Sequence, residues 1–252
     1  MTGEARHRLW ALGGLVAVAL PAFLLGGRYW VSDVSPSEAV VRFRAAGAGA
    51  AEAIPGLPAP GVYRYRTTGG ERISFLDYKR SYSATTVRIV TRHGCGVREE
   101  QRFLVQHVEY YDRCGDSLVG YGTDIAYWWT HGTQDFRCES GSFDGRAMRA
   151  GEVSAWECSD EDTRAEQTTT YLADEEVVVG GRTMPSRHTR WVTKFSGATV
   201  GSAVVDDWFD PATGLVLREE RNIGLKVGSG FVGDVTYIDV STYTLESTAP
   251  AR

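Results

Sequence analysis

The chain has 252 residues, of which 42% are hydrophobic, so it has enough apolar side chains to bury a core. A single all-β domain is compatible with this length. The formal net charge is -5 and there is no broad basic field, so nucleic acid is excluded as an expected partner.

The first element in chain order is an apolar segment from Leu9 to Gly27 that contains no charged side chain. At about 1.5 Å per residue it reaches roughly 28 Å, close to the hydrocarbon thickness of a bilayer. Aromatic rings flank it at Trp10, Tyr29 and Trp30, as membrane interfaces favour. We therefore expect a transmembrane signal-anchor helix over 9–27 and a cytoplasmic N-terminus over 1–8. A cleaved signal peptide is the alternative.

A short helix and a tether are expected next. Ser35 is a good N-cap for a helix over 39–46, and residues 46–61 are rich in Ala, Gly and Pro. This composition predicts a stalk and tether over 28–61, a β domain over 62–247 and a disordered tail over 248–252.

The β domain is indicated by alternation of polar and apolar side chains with turn residues every eight to fifteen positions. In Asp210–Gly214, Pro and Gly at turn positions predict a hairpin between Trp208-Phe209 and Leu215–Leu217. The pattern predicts a mainly antiparallel all-β fold, either a curved open sheet or half-barrel or a sandwich. The expected strands are 62–66, 73–78, 85–92, 102–111, 118–129, 167–172, 187–195, 203–209, 215–221 and 231–245.

The four cysteines, Cys95, Cys114, Cys138 and Cys158, show no zinc-like spacing and are expected to form disulfides outside the cytoplasm; four buried free thiols are the alternative. Three pairings are possible. The local one joins Cys95 to Cys114 and Cys138 to Cys158, and its first bond requires a bend, because a straight strand over 97–111 would hold the two cysteines far apart.

No catalytic, cofactor or metal site is expected. The sequence Gly115-Asp116-Ser117-Leu118 spells the tetrapeptide of a family of serine esterases, but no matching Asp and His follow near the C-terminus, so a turn is the better interpretation of Ser117. His131 is interpreted as a turn residue beside aromatics, and the acidic run 158–162 as a solvated turn. We therefore predict that the protein is not an enzyme and has no cofactor.

Aromatic side chains are frequent in the expected strands. Most are expected to form the core, but some could line a cavity for an apolar ligand. The candidate lining residues are Tyr63, Tyr65, Tyr127, Trp129, Trp191 and Trp208.

The domain start Gly61-Val62-Tyr63-Arg64-Tyr65 and the 208–217 hairpin resemble those of uncharacterised actinobacterial single-pass membrane proteins with an extracytoplasmic β domain. More loosely, the chain is similar to the half-barrel carriers of lipids and lipoproteins in the bacterial envelope. The second resemblance implies an envelope protein that binds a lipid or another apolar ligand. The alternatives are a module that docks an envelope protein or cell-wall polymer through its sheet and, third, a serine hydrolase that uses Ser117.

Overall fold

The computed structural model describes residues 32–48, 51–74, 77–115, 117–127, 130–139, 148–229 and 233–252. These residues form one α-helix, α1 (Pro36–Ala45), followed by antiparallel strands. The strands are β1 (Gly61–Ile73), β2 (Tyr78–Ser81), β3 (Thr85–His93), β4 (Gly96–Leu104), β5 (His107–Cys114), β6 (Ser117–Tyr127), β7 (Thr130–Cys138), β8 (Val153–Ser159), β9 (Thr163–Val179), β10 (Arg182–Gly197), β11 (Thr199–Phe209), β12 (Val216–Ser229) and β13 (Gly233–Leu245).

The sheet closes on itself as a 12-strand antiparallel barrel. Each strand pairs with its neighbour in sequence, except that β3 pairs with β1 while the short β2 adds to the far part of β1. Closure comes from β1 and β13, whose pairing runs from Tyr65 with Leu245 to Ile73 with Tyr237. The all-β antiparallel prediction is confirmed. The prediction of an open sheet, half-barrel or sandwich was wrong, because this long-range pairing removes the free edge.

Gly69 permits the closure. Its φ is +101°, and a Cβ at this position would lie 2.2 Å from the carbonyl oxygen of Val240 on β13. Gly70 is similarly close to β2, where a Cβ would lie 2.3 Å from the carbonyl oxygen of Arg80. Only residues without a Cβ let β1 lie this tightly between two partners.

Within the described residues, the seam between β7 and β8 is the shortest strand pairing around the barrel. Among the described residues it comprises Arg137 with Ser159 and Cys138 with Cys158. A disulfide joins Cys138 to Cys158, with Cα atoms 4.0 Å apart. The covalent bond therefore lies where backbone pairing contributes least.

The second disulfide joins Cys95 to Cys114, with Cα atoms 5.3 Å apart, so both bonds follow the local pairing. The bend that this bond requires is the hairpin between β4 and β5, in which Leu104 pairs with His107. Two disulfides are typical of a domain that folds outside the cytoplasm.

Helix α1 covers one outer face of the barrel. Ser35 caps it by accepting a hydrogen bond of 3.4 Å from the amide of Glu38. Ala39 and Phe43 pack against Val62 of β1 and against β3, whose buried outer residues are Val87 and Ile89. The helix predicted as part of a stalk therefore lies against the barrel.

Part of the predicted tether and tail also contacts the barrel. Leu57 is buried in the main hydrophobic cluster, and the hydroxyl of Tyr63 donates a hydrogen bond of 2.8 Å to the carbonyl of Ala59. Near the C-terminus, Ala251 pairs with Val62. The expected membrane span, 9–27, lies outside the described residues, and within them no helix is long and apolar enough to cross a membrane.

Candidate functional site

The barrel interior has two parts of different chemistry. Side chains alternate between the inner and outer faces along each strand, so the pairing register identifies those that point inward. Many inward residues are charged on β1 to β5 and on parts of β11, β12 and β13. Several inward residues are aromatic or aliphatic on β6, β8 and β10 and on other parts of β11 and β12. We call the first part the ionic network and the second the chamber wall.

The ionic network comprises eleven buried or nearly buried side chains from eight strands, β1 to β5 and β11 to β13. Its members are Glu71, Arg80, Arg88, Glu99, His107, Glu109, Arg113, Asp207, Glu219, Arg221 and Asp239. Buried charges of this kind persist only when they are paired and hydrogen-bonded.

Arg88 organises one end of the network. Its guanidinium donates to Gln101 at 3.0 Å, to Glu99 at 3.2 Å and to the hydroxyl of Tyr243 at 3.1 Å. Arg113 donates to the other oxygen of Glu99 at 3.1 Å. This end of the interior is filled by side chains that hold one another in place.

His107 organises the other end. Its ring nitrogens lie 3.2 Å from Glu71 and 3.3 Å from Glu109, and Arg80 pairs with Glu71. Burial alone lowers the pKa of His107, but the charges and hydrogen bonds of Glu71 and Glu109 outweigh it and raise the pKa to about 9. The imidazole is therefore a cation at neutral pH.

Two acids in the network hold their protons more tightly than usual. Burial raises the pKa of Asp239 to about 6, although Arg221 and His107 oppose the shift. Burial and the neighbouring Glu219 raise the pKa of Asp207 well above its ordinary value.

The chamber wall consists of six of the inward-facing apolar or aromatic side chains that are only half buried. Four of them, Ile125, Trp156, Phe195 and Leu225, pack against buried hydrophobic clusters and still retain accessible surface. The six residues are Ile125, Trp156, Trp191, Phe195, Val205 and Leu225.

Trp156 and Trp191 meet edge to face, with ring centroids 5.9 Å apart. Each indole N–H donates a hydrogen bond of 3.2 Å to a threonine hydroxyl, Thr169 for Trp156 and Thr189 for Trp191. Because the polar edges are satisfied, the ring faces are left for apolar contact.

Of the six aromatic residues predicted to line a ligand cavity, the structure places Trp191 on the chamber wall. Tyr63 and Tyr65 point inward at the filled end, where the hydroxyl of Tyr65 donates to the carbonyl of Val216 at 2.8 Å. Trp208 is buried and stacks on His188 with ring centroids 4.0 Å apart. The side chain of Tyr127 and all of Trp129 lie outside the described residues.

Ser117 opens β6 and pairs with Cys114 across the β5–β6 turn. Three histidines contact carboxylates instead. His107 contacts Glu71 and Glu109, and His131 contacts Asp124. His188 contacts Glu175 and Asp206. Within the described part of the chain, no group of three or more His, Cys, Asp or Glu residues is arranged to hold a metal ion.

Sequence reasoning missed the ionic network, and β4 shows one reason, because both faces of this strand are polar. In β4, Glu99 and Gln101 point inward while Arg98, Glu100 and Arg102 point outward. A half-buried strand was expected to carry its polar residues on the solvent side. Alternation in β4 offers no signal that distinguishes the faces.

Comparison with protein-family models and with curated proteins gives no match. Among solved structures, the chain is similar to the hypothetical lipoprotein YmcC from Escherichia coli K12, with a TM-score of 0.40 and 11% sequence identity. The alignment covers 75% of this chain and 85% of that one. This likeness carries no argument about function.

Proposed function

We propose that this chain is a non-enzymatic protein of the bacterial cell envelope, anchored to the membrane by residues 9–27, that binds a lipid or another apolar ligand inside its barrel. The observation that supports binding is the chamber wall, where Trp156, Trp191 and Phe195 face inward yet retain accessible surface. Apolar walls with a few polar groups are the usual chemistry of small-molecule sites.

The envelope location is supported by the two disulfides and by the predicted anchor segment. The ionic network borders the chamber wall, where Arg221 pairs with Val205 and His107 pairs with Ile125, so a ligand would meet side chains that are already held in place. Pre-organisation of this kind lowers the entropic cost of binding.

Val204 and Val205 allow a matched test, because they are adjacent on β11 and both half buried, while only Val205 points inward. The full chain is titrated with dodecan-1-ol and examined by native mass spectrometry, with and without reductant. We expect one bound alcohol per wild-type chain. Val205→Asp should weaken binding by at least about tenfold, or about 1.4 kcal/mol, since the wall loses an apolar contact and gains a carboxylate beside Arg221 that the alcohol would have to desolvate.

Val204→Asp is the control and should bind like the wild type. The proposal fails if the wild-type chain holds no alcohol, or if the two variants lose binding equally.

The second candidate function is an interaction module, favoured by apolar side chains on the outer face of neighbouring strands. Val200 on β11 is 52% exposed and Val240 on β13 is 55% exposed. The half-buried Val204 on β11 pairs with Asn222 on β12, which in turn pairs with Val240. Binding of a partner to this outer face would be lost in the Val204→Asp variant and retained in the Val205→Asp variant. The same pair of variants therefore separates the two functions.

A further inference from the structure

The polar groups beside the chamber wall include several that have no hydrogen-bond partner among the described residues. These are the Tyr121 hydroxyl, the Thr123 hydroxyl, the Gln167 amide nitrogen, and Nε and Nη1 of Arg221. Buried polar atoms in native proteins are nearly always satisfied, so a group of unsatisfied ones indicates something that would satisfy them.

These atoms belong to inward-facing residues around one interior. Tyr121 and Thr123 lie two residues apart on β6, and Gln167 on β9 pairs with Trp156 of the chamber wall. Arg221 on β12 pairs with Val205, another member of that wall. The register therefore places polar groups directly beside apolar ones.

Gln167 is 5% exposed and is held in position by its own hydrogen bond. Its carbonyl oxygen accepts from the hydroxyl of Thr193 at 3.2 Å, which leaves both hydrogens of the amide nitrogen for another partner. An amide nitrogen can only donate, so that partner must be an acceptor.

Arg221 is a further donor in the same interior, and three carboxylates lie within 4 Å of its guanidinium. Its Nη2 donates to Glu109 at 2.7 Å, while Nε lies 3.6 Å from Glu219 and 3.7 Å from Asp239, beyond hydrogen-bond distance. Nη1 has no hydrogen-bond partner among the described residues. A guanidinium with free N–H groups is suited to an oxygen acid.

We infer that the chamber binds a single-chain amphiphile whose head group is an anionic oxygen acid, carboxylate or phosphate. The head accepts hydrogen bonds from Gln167 and Thr123 and lies in the field of Arg221, while the alkyl chain lies against Trp191 and Phe195. This inference rests on the proposed function and adds the chemistry of the head group.

The test measures the binding of four twelve-carbon probes to the full chain: dodecanoate, dodecyl phosphate, dodecan-1-ol and protonated dodecylamine. We expect dodecanoate or dodecyl phosphate to bind about tenfold or more tightly than the alcohol, and the amine to bind most weakly, because charge-assisted hydrogen bonds are the strong ones. Which of the two acids binds more tightly distinguishes a fatty acid from a phosphate-bearing lipid.

Two variants remove the polar groups with little change of shape. Gln167→Glu and Thr123→Val should each lower the ratio of dodecanoate affinity to dodecan-1-ol affinity at least about threefold, since each removes a donor. Thr168→Val, on the outer face beside Gln167, should leave the ratio unchanged. Binding of the alcohol reports an intact chamber in every variant.

The inference is overturned if the alcohol or the amine binds as tightly as both acids, or if the ratio does not change in Gln167→Glu and Thr123→Val. In that case the proposed function stands as long as the alcohol binds inside the barrel. If none of the four probes binds, the proposed function fails as well.

Discussion

Arg221 on β12 donates a hydrogen bond of 2.7 Å to Glu109 on β5, across the interior of the barrel and 112 positions apart in sequence. Both side chains are almost completely buried. Burial raises the pKa of Glu109, but Arg221 and His107 more than reverse this effect, and the net pKa is lowered. The pair therefore joins opposite walls of the barrel through charges that are satisfied only in the folded state.

Glu109→Gln should destabilise the protein by about 3–5 kcal/mol, because it removes the carboxylate to which buried Arg221 donates its hydrogen bond and one of the two that contact His107. The free energy of unfolding, measured by urea denaturation of the full chain in mild detergent, checks this. Glu220→Gln is the control: its ion pair with Arg218 is about 40% exposed, so a loss of about 1 kcal/mol or less is expected. Equal losses in the two variants would show that the buried pair has no special role.

His107 predicts a pH dependence with a definite sign. Its pKa is about 9 in the folded chain against an ordinary value of 6.5, so the folded state binds more protons between these two pH values. The stabilisation from His107 is complete below pH 6.5 and is lost as the pH rises through 9. The loss is on the order of 3 kcal/mol.

Urea denaturation measures the free energy of unfolding at pH 6.5 and at pH 9. The His107→Gln variant should show a smaller difference between these two free energies than the wild type. His131→Gln, at an exposed histidine on β7, should retain the wild-type difference. A wild-type stability that is constant over this range would contradict the assignment of His107 as a buried cation.

The two disulfides should differ in importance. Replacement of Cys138 and Cys158 by Ala should open the seam between β7 and β8, because few backbone pairs remain there. Replacement of Cys95 and Cys114 affects strands β4 and β5, which pair along most of their length. Loss of either disulfide should lower the free energy of unfolding by on the order of 3 kcal/mol, because the unfolded chain is then less restricted.

Hydrogen exchange separates the folded-state effects of the two losses. Amides of β7 and β8 should exchange faster only when the bond between Cys138 and Cys158 is missing. Equal protection in both double variants would mean that the seam is held by other contacts.

Gly69→Ala should destabilise the barrel by several kcal/mol, because the new Cβ would collide with the carbonyl of Val240 in a backbone conformation that only glycine adopts readily. Gly224→Ala on β12 is the control, since a Cβ there meets no atom within 4 Å. Thermal unfolding of both variants provides the comparison. Similar melting temperatures would show that β1 does not depend on this close approach.

The local parts of the fold could be predicted from the sequence. The turn over 210–214 forms as expected, with the carboxylate of Asp210 accepting from the hydroxyl of Thr213 at 2.5 Å and Gly214 at φ +70°. Ser35 caps the helix that follows it. These features depend on residues close in sequence, where propensity and side-chain chemistry decide the structure.

The long-range parts could not be predicted. Closure joins β1 to β13, and no pattern within either strand specifies that partner. Strands β7 and β8 were missed, and the outer ends of β9 and β10, over 173–186, were not expected to pair. The chamber wall depends on which residues point inward, so only Trp191 among its six members was named beforehand. Strand β4 illustrates the same limit. Glu99 and Gln101 point inward, but the outer face of the strand is also polar, so the sequence does not show which face is buried.

The claim that an apolar ligand binds inside the barrel is tested most directly by mapping where an apolar probe contacts the chain. Dodecan-1-ol carrying a mid-chain diazirine is bound to the full chain and photolysed, and the adducts are mapped by peptide mass spectrometry. We predict adducts on inward-facing residues of β6, β10 and β11, including Ile125, Trp191 and Val205, and their loss in Val205→Asp but not in Val204→Asp. Adducts confined to residues 9–27 or to the outer face of the barrel would contradict a ligand site inside it.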